Sequence, residues 1–442
     1  MKRPAIAAGL NMTIIAALLA ASSSALAVAE GAPGASGLDG RVAAVKQRVV
    51  DWRRDIHQHP ELSGQEARTA AMVAAHLKSL GMEVTTGVGG HGVVALLKGG
   101  QPGKVVALRA DMDALPIAEA TGLPFASRAV ARHMGKDTPV MHGCGHDAHT
   151  AILMGVAEVL AGMKDQIQGT VKFIFQPAEE GFSEAPVKPG QLWGARAMIA
   201  EGVMDKPKVD AIFGLHISSM IPTGVIGWRS GPTMAGSDSL RIQVNGRQTH
   251  GAMPWAGVDP IVTSAQMITA LQTVVSRQLN ISTQPAVLSI GAINGGNREN
   301  IVPESVEMLG TLRTYDETMR ADAKKRIQLI AQSTAAANGA KAEVSFGPSE
   351  YSVTVNDAKL TARTVPLLRS AAQTVEIPLV TGSEDFSEFQ KIAPGFFFML
   401  GGKPKDREVG PNHSPRFDFD EAALGIGVKS LTLAALGYLN GQ

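Results

Sequence analysis

Thr170-Val-Lys-Phe-Ile-Phe-Gln-Pro-Ala-Glu-Glu-Gly181 is a mostly apolar run that stops at two adjacent carboxylates and a glycine. A run with little polar alternation fits a strand buried on both faces, as in a parallel sheet. Its neighbours repeat the pattern: Val105 to Ala110 is followed by Asp111 and Asp113, and Ala211 to Ile217 ends around His216. Val93 to Leu97 and Phe396 to Leu400 are two further strands of this kind. Helices lie between them. Val42, Val45, Val49, Trp52 and Ile56 recur at three-and-four spacing from Arg41 until Pro60, and a second helix covers about Glu66 to Leu80, with Gly81 as its stop. Others cover about His149 to Met163, Lys359 to Thr374 with an interruption at Pro366, and a last stretch from Glu421. Strands alternating with helices predict an α/β domain on a mostly parallel sheet.

The middle of the chain changes period. Ser239 to Asn245 alternates, Pro260 to Arg277 is helical, Ala286 to Ile293 and Ser305 to Thr314 read as strands, Asp316 to Ala336 as a helix and Ala342 to Phe346 as a strand. That order, βαββαβ, is ferredoxin-like. It reads as a small domain at 233–348 inserted into a discontinuous larger one at 40–232 and 349–442, and the insert is a candidate lid.

With 442 residues, 45% of them hydrophobic, the chain can bury two or three domain cores, and two is the working number. Basic and acidic side chains balance, 41 against 40, so no sequence-wide field draws in nucleic acid or an anionic membrane. Residues 1–29 stand apart: Lys2 and Arg3, an apolar run from Ile14 to Ala21, then small residues through Ala27-Val28-Ala29. This reads as a secretory signal peptide cleaved after Ala27 or Ala29. The run is shorter than the roughly 20 residues of a membrane span, and no second candidate span is read. The mature protein is therefore expected in the periplasm or outside the cell, off the membrane, with Glu30 to Gly40 as a flexible leader. Cys144 is the only cysteine, so no intramolecular disulfide can form, and the choice is between an inert buried thiol and a metal ligand.

Met141-His-Gly-Cys-Gly-His-Asp-Ala-His-Thr150 packs three imidazoles, a thiol and a carboxylate into a glycine-rich turn. Thiolate and imidazole suit zinc and its neighbours, although histidines also cap helices and hydrogen-bond in cores. Glu179 and Glu180 stand where a sheet strand delivers residues to a crevice. One can ligate a metal while the other acts as general base, unless both are solvated turn residues. Three strands thus bring ionisable groups toward one rim.

Ala107-Leu-Arg-Ala-Asp-Met-Asp-Ala-Leu-Pro116, the cluster at 142–150, Gln176 to Gly181, Gly382-Ser-Glu-Asp-Phe386 and Asn412-His-Ser-Pro415 occur in one order along the chain. Together they resemble the metal-dependent peptidase and amidohydrolase family of hippurate hydrolases, N-acyl-amino-acid amidohydrolases and plant auxin-conjugate hydrolases, over nearly the whole mature chain. The resemblance implies a discontinuous zinc-exopeptidase-like catalytic domain with an inserted lid and dimerisation domain. It implies two divalent metal ions per chain, Zn2+ first and Mn2+, Co2+ or Ni2+ as alternatives, held by Cys144, His146, Glu180, His216 and His413. It makes Glu179 the general base and Asp113 the carboxylate that orients a metal ligand. His250 matches a lid histidine that faces the developing oxyanion, often from the other subunit of a homodimer, a state that composition and spacing do not show. Asn300 and Arg313 match contacts to the substrate's carboxylate, for which a guanidinium fork is suited. His142, Asp147 and His149 stay unassigned.

Two departures bear on the substrate. Trp255 stands where many relatives carry a second histidine, which could add an aromatic wall, and the segment Phe182 to Leu192 is longer than in many relatives, which could reshape the entrance. The expected reaction is hydrolysis of an amide joining an acyl group to an amino acid with a free carboxylate. The rivals are a dipeptidase or carboxypeptidase on the same scaffold, an enzyme using Cys144 as nucleophile, and a periplasmic protein that binds a peptide through metals without cleaving it. Glu179 beside Glu180 argues against the last, since mere binding needs no base.

Overall fold

The computed structural model describes residues 35–182 and 190–441. The signal-peptide reading of 1–29 and most of the segment Phe182 to Leu192 lie outside the described residues.

The strand Gly395–Lys403 is buried at every position but the last, so it needs cover on both faces. It sits near the centre of an eight-stranded sheet, the largest among the described residues, whose order runs 83–88, 92–98, 168–176, 101–111, 211–222, 395–403, 225–228, 373–376. The ladders joining 168–176, 101–111, 211–222 and 395–403 are all parallel, as is the one between 225–228 and 373–376. The ladders at 83–98, 92–98 with 168–176, and 225–228 with 395–403 are antiparallel.

Successive side chains point to opposite faces of the sheet, and the two cores divide them accordingly. Val106, Leu108, Phe173, Phe213, Phe396 and Phe398 pack under the helices Ala35–Gln58, His146–Ala161 and Ala422–Leu439. Ala107, Ile174, Ile212 and Phe397 face the shorter helices Gly194–Ala200 and Phe386–Gln390. Fully burying one such large side chain stabilises by about 1.5–3 kcal/mol, so both layers contribute.

Several boundaries differ from the sequence reading. The first helix begins at Ala35, inside the expected leader, because Leu38 continues its buried stripe of Val42, Val45 and Val49. The helix expected from His149 starts at His146, one turn earlier. The stretch Lys359 to Thr374 divides into the helix Ala358–Leu368 and the edge strand Gln373–Glu376. Pro366 lies within the last turn of that helix, where its lost N–H and ring clash help to end it rather than interrupt it. The strand Ala211–Pro222 runs past Ile217, since Ser218 still pairs with Gly401, so His216 is mid-strand. Among the described residues one helix, Ala422–Leu439, is long and apolar enough to cross a membrane by length and composition, where the sequence reading finds no candidate span. Its window is 61% buried, and it packs on the helices at 35–58, 146–161 and 358–368, which accounts for its apolarity.

The middle region forms the strand Gly236–Asn245, the helix Pro260–Thr273, the strands Ala286–Gly295 and Ser305–Thr314, the helix Glu317–Ala337 and the strand Lys341–Tyr351. This is the βαββαβ order. Its antiparallel sheet runs 286–295, 305–314, 236–245, 341–351. Asp259 caps the first helix by accepting from the Ile261 and Val262 amides, with Pro260 at the opening position, and Asp316 caps the second at Met319. Ala323, Ile327, Ala331 and Ala335, one every four residues, pack beside Leu240, Ile242 and Met308 in a core of their own.

This small core carries a buried ion pair. Arg320 donates to Asp238 from Nε at 2.7 Å and from its second guanidinium nitrogen at 2.8 Å, and Lys324 Nζ lies 2.6 Å from Asp238. Burial alone would raise the Asp238 carboxyl, but the Arg320 and Lys324 hydrogen bonds hold it below the ordinary range. Asp238→Asn should destabilise the fold by about 3–5 kcal/mol in denaturant melts, because it leaves Arg320 buried beside a neutral partner. The stabilisation is present above the ordinary carboxylate pKa and is lost as pH falls through the depressed value. The variant should therefore lose less stability on acidification than the parent.

Candidate metal centre and active site

Parallel ladders fix where the strands end. Asp111 pairs with Gln176, Arg109 pairs with Gly214 two residues before His216, and His216 pairs with Met399. The ends of two strands and the middle of a third therefore share one level, and the turn 142–146 adds its donors beside them. Gly145 in this turn has φ 100°, and a Cβ there would stand 2.3 Å from Ile217 Cγ2, so glycine alone fits. Ala178 and His413, which are not glycine, also hold positive φ, 52° and 66°. Such conformations persist where surrounding contacts over-determine them, and they cluster at functional sites.

Four of the expected ligands meet directly. Cys144 Sγ lies 3.2 Å from His216 Nε2 and 3.1 Å from His413 Nε2, and His413 Nε2 lies 3.0 Å from Glu180 Oε1. Donor atoms of Cys144, His146 and His216 lie within 4.8 Å of one another, as do those of Cys144, Glu180 and His413, and those of His146, Glu179 and Glu180. Overlapping groups that share a thiol suit a pair of ions rather than one.

Hydrogen bonds select which imidazole nitrogens stay available. His146 Nδ1 faces the Asp113 carbonyl at 2.8 Å and its carboxylate at 3.2 Å, while Nε2 is buried with no hydrogen-bond partner. His216 Nδ1 donates to the Ile217 carbonyl at 2.8 Å, which turns Nε2 toward Cys144. His149 is occupied at both nitrogens: Nδ1 donates to Asp111 at 2.6 Å and Nε2 accepts the Ile217 amide at 2.8 Å. His149 is thus a brace between strands, and Asp111 is its partner. Asp147 is likewise held by Arg53 Nε and His57 Nδ1, both at 2.9 Å, tying the helix that begins at His146 to the helix Ala35–Gln58. Burial pushes His142 down to about 3, so it sits neutral in the core.

The electrostatics call for positive charge. Burial, then Glu384, Glu180 and Asp385, push Glu179 well above the ordinary carboxyl range. Hydrogen bonds to Cys144 and Glu180 raise His413 to about 10. Burial would lower His146, but Asp111, Cys144 and Asp113 carry it well above its ordinary value. A thiol, three imidazoles and a carboxylate brought together in this way, one imidazole with an orphaned buried nitrogen, fit a divalent cation of the zinc class.

Cys144, Glu179, Glu180, His216 and His413 open on a cavity of about 700 Å³ between the two sheets, also lined by Met234, Val380, Met399, Ser383, Glu384, Tyr351 and Arg313. Among the described residues Arg313 hydrogen-bonds only to hydroxyls, Thr311 Oγ1 at 3.2 Å and Ser383 Oγ, and no carboxylate pairs with it. Three residues read from the sequence are elsewhere. His250 and Asn300 lie together on the exposed face of the insert, where the Gly251 amide donates to the Asn300 carbonyl at 2.7 Å, and Trp255 is 79% exposed.

Sequence reasoning gave no role to Arg109, Glu384, Asp385 or Asn412, though it quoted all four within motifs. Arg109 is wholly buried and donates to Gln176 at 2.9 Å, Asp111 at 2.6 Å, Glu384 at 2.8 Å and Asp385 at 2.9 Å. The Asp385 amide in turn donates to Glu179 Oε1 at 3.3 Å. Asn412 Nδ2 donates to the Cys144 and Ile217 carbonyls at 2.8 and 3.1 Å, which ties the His413 loop to both.

The family model described as Peptidase family M20/M25/M40 matches residues 107–436. The chain is 41% identical over 401 residues to the thermostable carboxypeptidase 2 of Saccharolobus solfataricus, covering 90% of this chain and 97% of that protein. It is 38% identical over 384 residues to the N-acetylcysteine deacetylase of Bacillus subtilis, covering 87% and 94%. The crystal structure of the Bacillus subtilis YXEP protein, described as a dinuclear metal-binding peptidase from the M20 family, matches with a TM-score of 0.74 at 34% identity, covering 90% of this chain and 99% of that one.

The donor set makes a spectroscopic prediction. Cobalt-loaded protein should show a thiolate-to-cobalt charge-transfer band in the near ultraviolet that Cys144→Ser abolishes, with less metal retained on dialysis. An unchanged spectrum would remove the thiol from the ligand set.

Proposed function

The chain belongs to the M20/M25/M40 peptidase family, and from that premise we propose that it hydrolyses the amide bond of N-acyl amino acids to a carboxylic acid and a free amino acid. It is a metal-dependent hydrolase. The observation that carries the reading is one cavity lined both by Glu179 beside the metal-ligand cluster and by Arg313, a half-buried guanidinium without a carboxylate partner among the described residues. The first provides a base, and the second a receptor for a free carboxylate.

In this reading Cys144, His146, Glu180, His216 and His413 hold two metal ions, with Zn2+ favoured by the thiolate and imidazoles. Ions bound there would supply Lewis acidity to the amide carbonyl and make water acidic enough to ionise near neutral pH. Asp113 fixes the tautomer of His146 and accepts the Glu180 amide at 3.0 Å, so one carboxylate steadies two ligands. Glu179 takes the proton of the attacking water and returns it to the amide nitrogen as the C–N bond breaks, while the Asp385 amide keeps its carboxylate in place. Arg313 binds the carboxylate of the amino-acid half. His250 and Asn300, side by side on the insert's exposed face, would complete the cavity of a second copy in a homodimer through the inserted domain. Residues 1–29 carry the features of a secretory signal peptide, which would place the enzyme in the periplasm or outside the cell.

A second reading, carboxypeptidase action on peptides, is favoured by the name of the Saccharolobus relative and uses the same carboxylate receptor. A panel of N-acyl amino acids and peptides, compared by kcat/KM, separates the two.

Glu179→Gln should lower kcat by about 10²–10⁴-fold while metal content, read by elemental analysis, is unchanged. Chelation should abolish turnover in the parent; full-rate hydrolysis by chelated protein would sink the mechanism. Arg313→Met should raise KM about ten- to a hundredfold for substrates with a free carboxylate and leave their amidated analogues nearly unaffected.

A further inference from the structure

The turn that carries Glu179 is braced from behind by a residue outside all five motifs. Glu66 precedes the helix Ala67–Ser79 and is 0% exposed, an unusual place for a carboxyl that pairs with no cation among the described residues. Its Oε1 accepts two backbone amides, Gly64 and Ala178, each at 2.8 Å, and its Oε2 is buried without a hydrogen-bond partner. Ala178 is the non-glycine residue held at φ 52°, immediately before Glu179 and Glu180. An unpaired amide at such a residue would let the turn relax into an ordinary conformation and swing both carboxylates.

The same short segment also supports the other side of the site. Ser63 Oγ donates to Asp113 Oδ2 at 2.6 Å, the Ala114 amide donates to the Glu61 carbonyl at 2.8 Å, and Leu62 forms a bridge with Ala114. Asp113 Oδ2 also accepts the Glu180 amide. Residues 61–66 therefore act as one strut that touches Asp113 at one end and Ala178 at the other.

We propose that Glu66 is a positioning residue for the general base: its carboxyl holds the strained Ala178 amide and so sets the direction of Glu179. The proposal rests on Glu179 being the base. Glu66 is not among the residues that line the cavity, and its link to Glu179 runs through the backbone of the turn. What the site requires of it is an acceptor of the right length, not a negative charge, because its carboxyl meets backbone N–H donors and pairs with no cation among the described residues.

The test compares three variants with the parent, all metal-loaded and checked by elemental analysis. Glu66→Leu removes the acceptor, Glu66→Asp keeps the carboxyl but shortens it, and Glu66→Gln keeps both length and acceptor. Leu and Asp should lower kcat on an N-acyl amino acid at least tenfold, with KM within about twofold and two metals retained, whereas Gln should recover most of the rate. Amide hydrogen exchange across 176–181 should quicken in Leu and Asp but not in Gln. The Asp variant keeps the test open where Leu fails to fold. Parent-like kcat and exchange in Glu66→Asp, or a Gln variant as impaired as Asp, would overturn the proposal. Glu179→Gln is assayed in parallel: if it stayed active the base assignment would fall, while the exchange data would still report whether Glu66 holds the turn.

Discussion

Charge balance at the level where the central strands converge is the constraint on which the rest of this structure depends. Asp111, Asp113, Glu179, Glu384 and Asp385 are all buried there, with Glu180 beside them, against the single buried guanidinium of Arg109. Arg109 satisfies Asp111, Glu384 and Asp385 at once and, with its bond to Gln176, knits three sequence motifs into one cluster. It does not reach Glu179 or Glu180. Burying unpaired carboxylates is expensive, so the second half of the balance falls on the imidazoles and on cations bound among them. The same deficit that raises His413 and His146 is what makes the cluster a good host for divalent metal.

That balance shapes the backbone around it. Gly145 admits the close approach of Ile217, Ala178 and His413 accept left-handed conformations, and Asn412 and Glu66 meet backbone groups with side-chain atoms. Each device is local, yet each is placed by the parallel ladder, which registers Asp111, Gln176 and the approach to His216 across three strands. A one-residue slip in any of these strands would send its site residue to the opposite face. The Phe-rich strand Gly395–Lys403, packed on both faces, resists such a slip.

The parts legible in the sequence were those with a period or a dense motif. Val105 to Ala110 and Thr170 to Phe175 read as strands because they have no polar alternation, and the βαββαβ order of the insert came from its change of period. Cys144, His146 and Glu180 stood out because thiol, imidazole and paired carboxylate are crowded into short glycine-rich turns. What escaped were residues whose role exists only through distant partners. Glu66 reads as an ordinary helix start, and nothing within its own segment signals that Ala178, 112 residues on, supplies its donor. Arg109 reads as an interruption of an apolar strand until Glu384 and Asp385 arrive from 275 and 276 residues away. The helical reading of Lys359 to Thr374 runs into the edge strand Gln373–Glu376, whose exposure leaves no hydrophobic pattern to read.

The insert joins this centre through polar contacts rather than a shared apolar core. Its hydrophobic cluster is separate from those of the large sheet, and the links among the described residues include hydrogen bonds: Tyr351 to the Glu179 carbonyl at 2.8 Å, Arg313 to Ser383, and Arg196 to the Glu350 carbonyl at 2.7 Å. Such contacts exchange with water at little net cost, unlike buried apolar area. The link from Tyr351 ends on the backbone of Glu179 itself. A contact from the insert therefore meets the Glu179 backbone directly, while the Glu66 carboxyl accepts the amide of the preceding residue. Glu179 is thus held from two separate parts of the chain, as the proposed role of general base would require, since a base must stand at a fixed distance from the proton it takes.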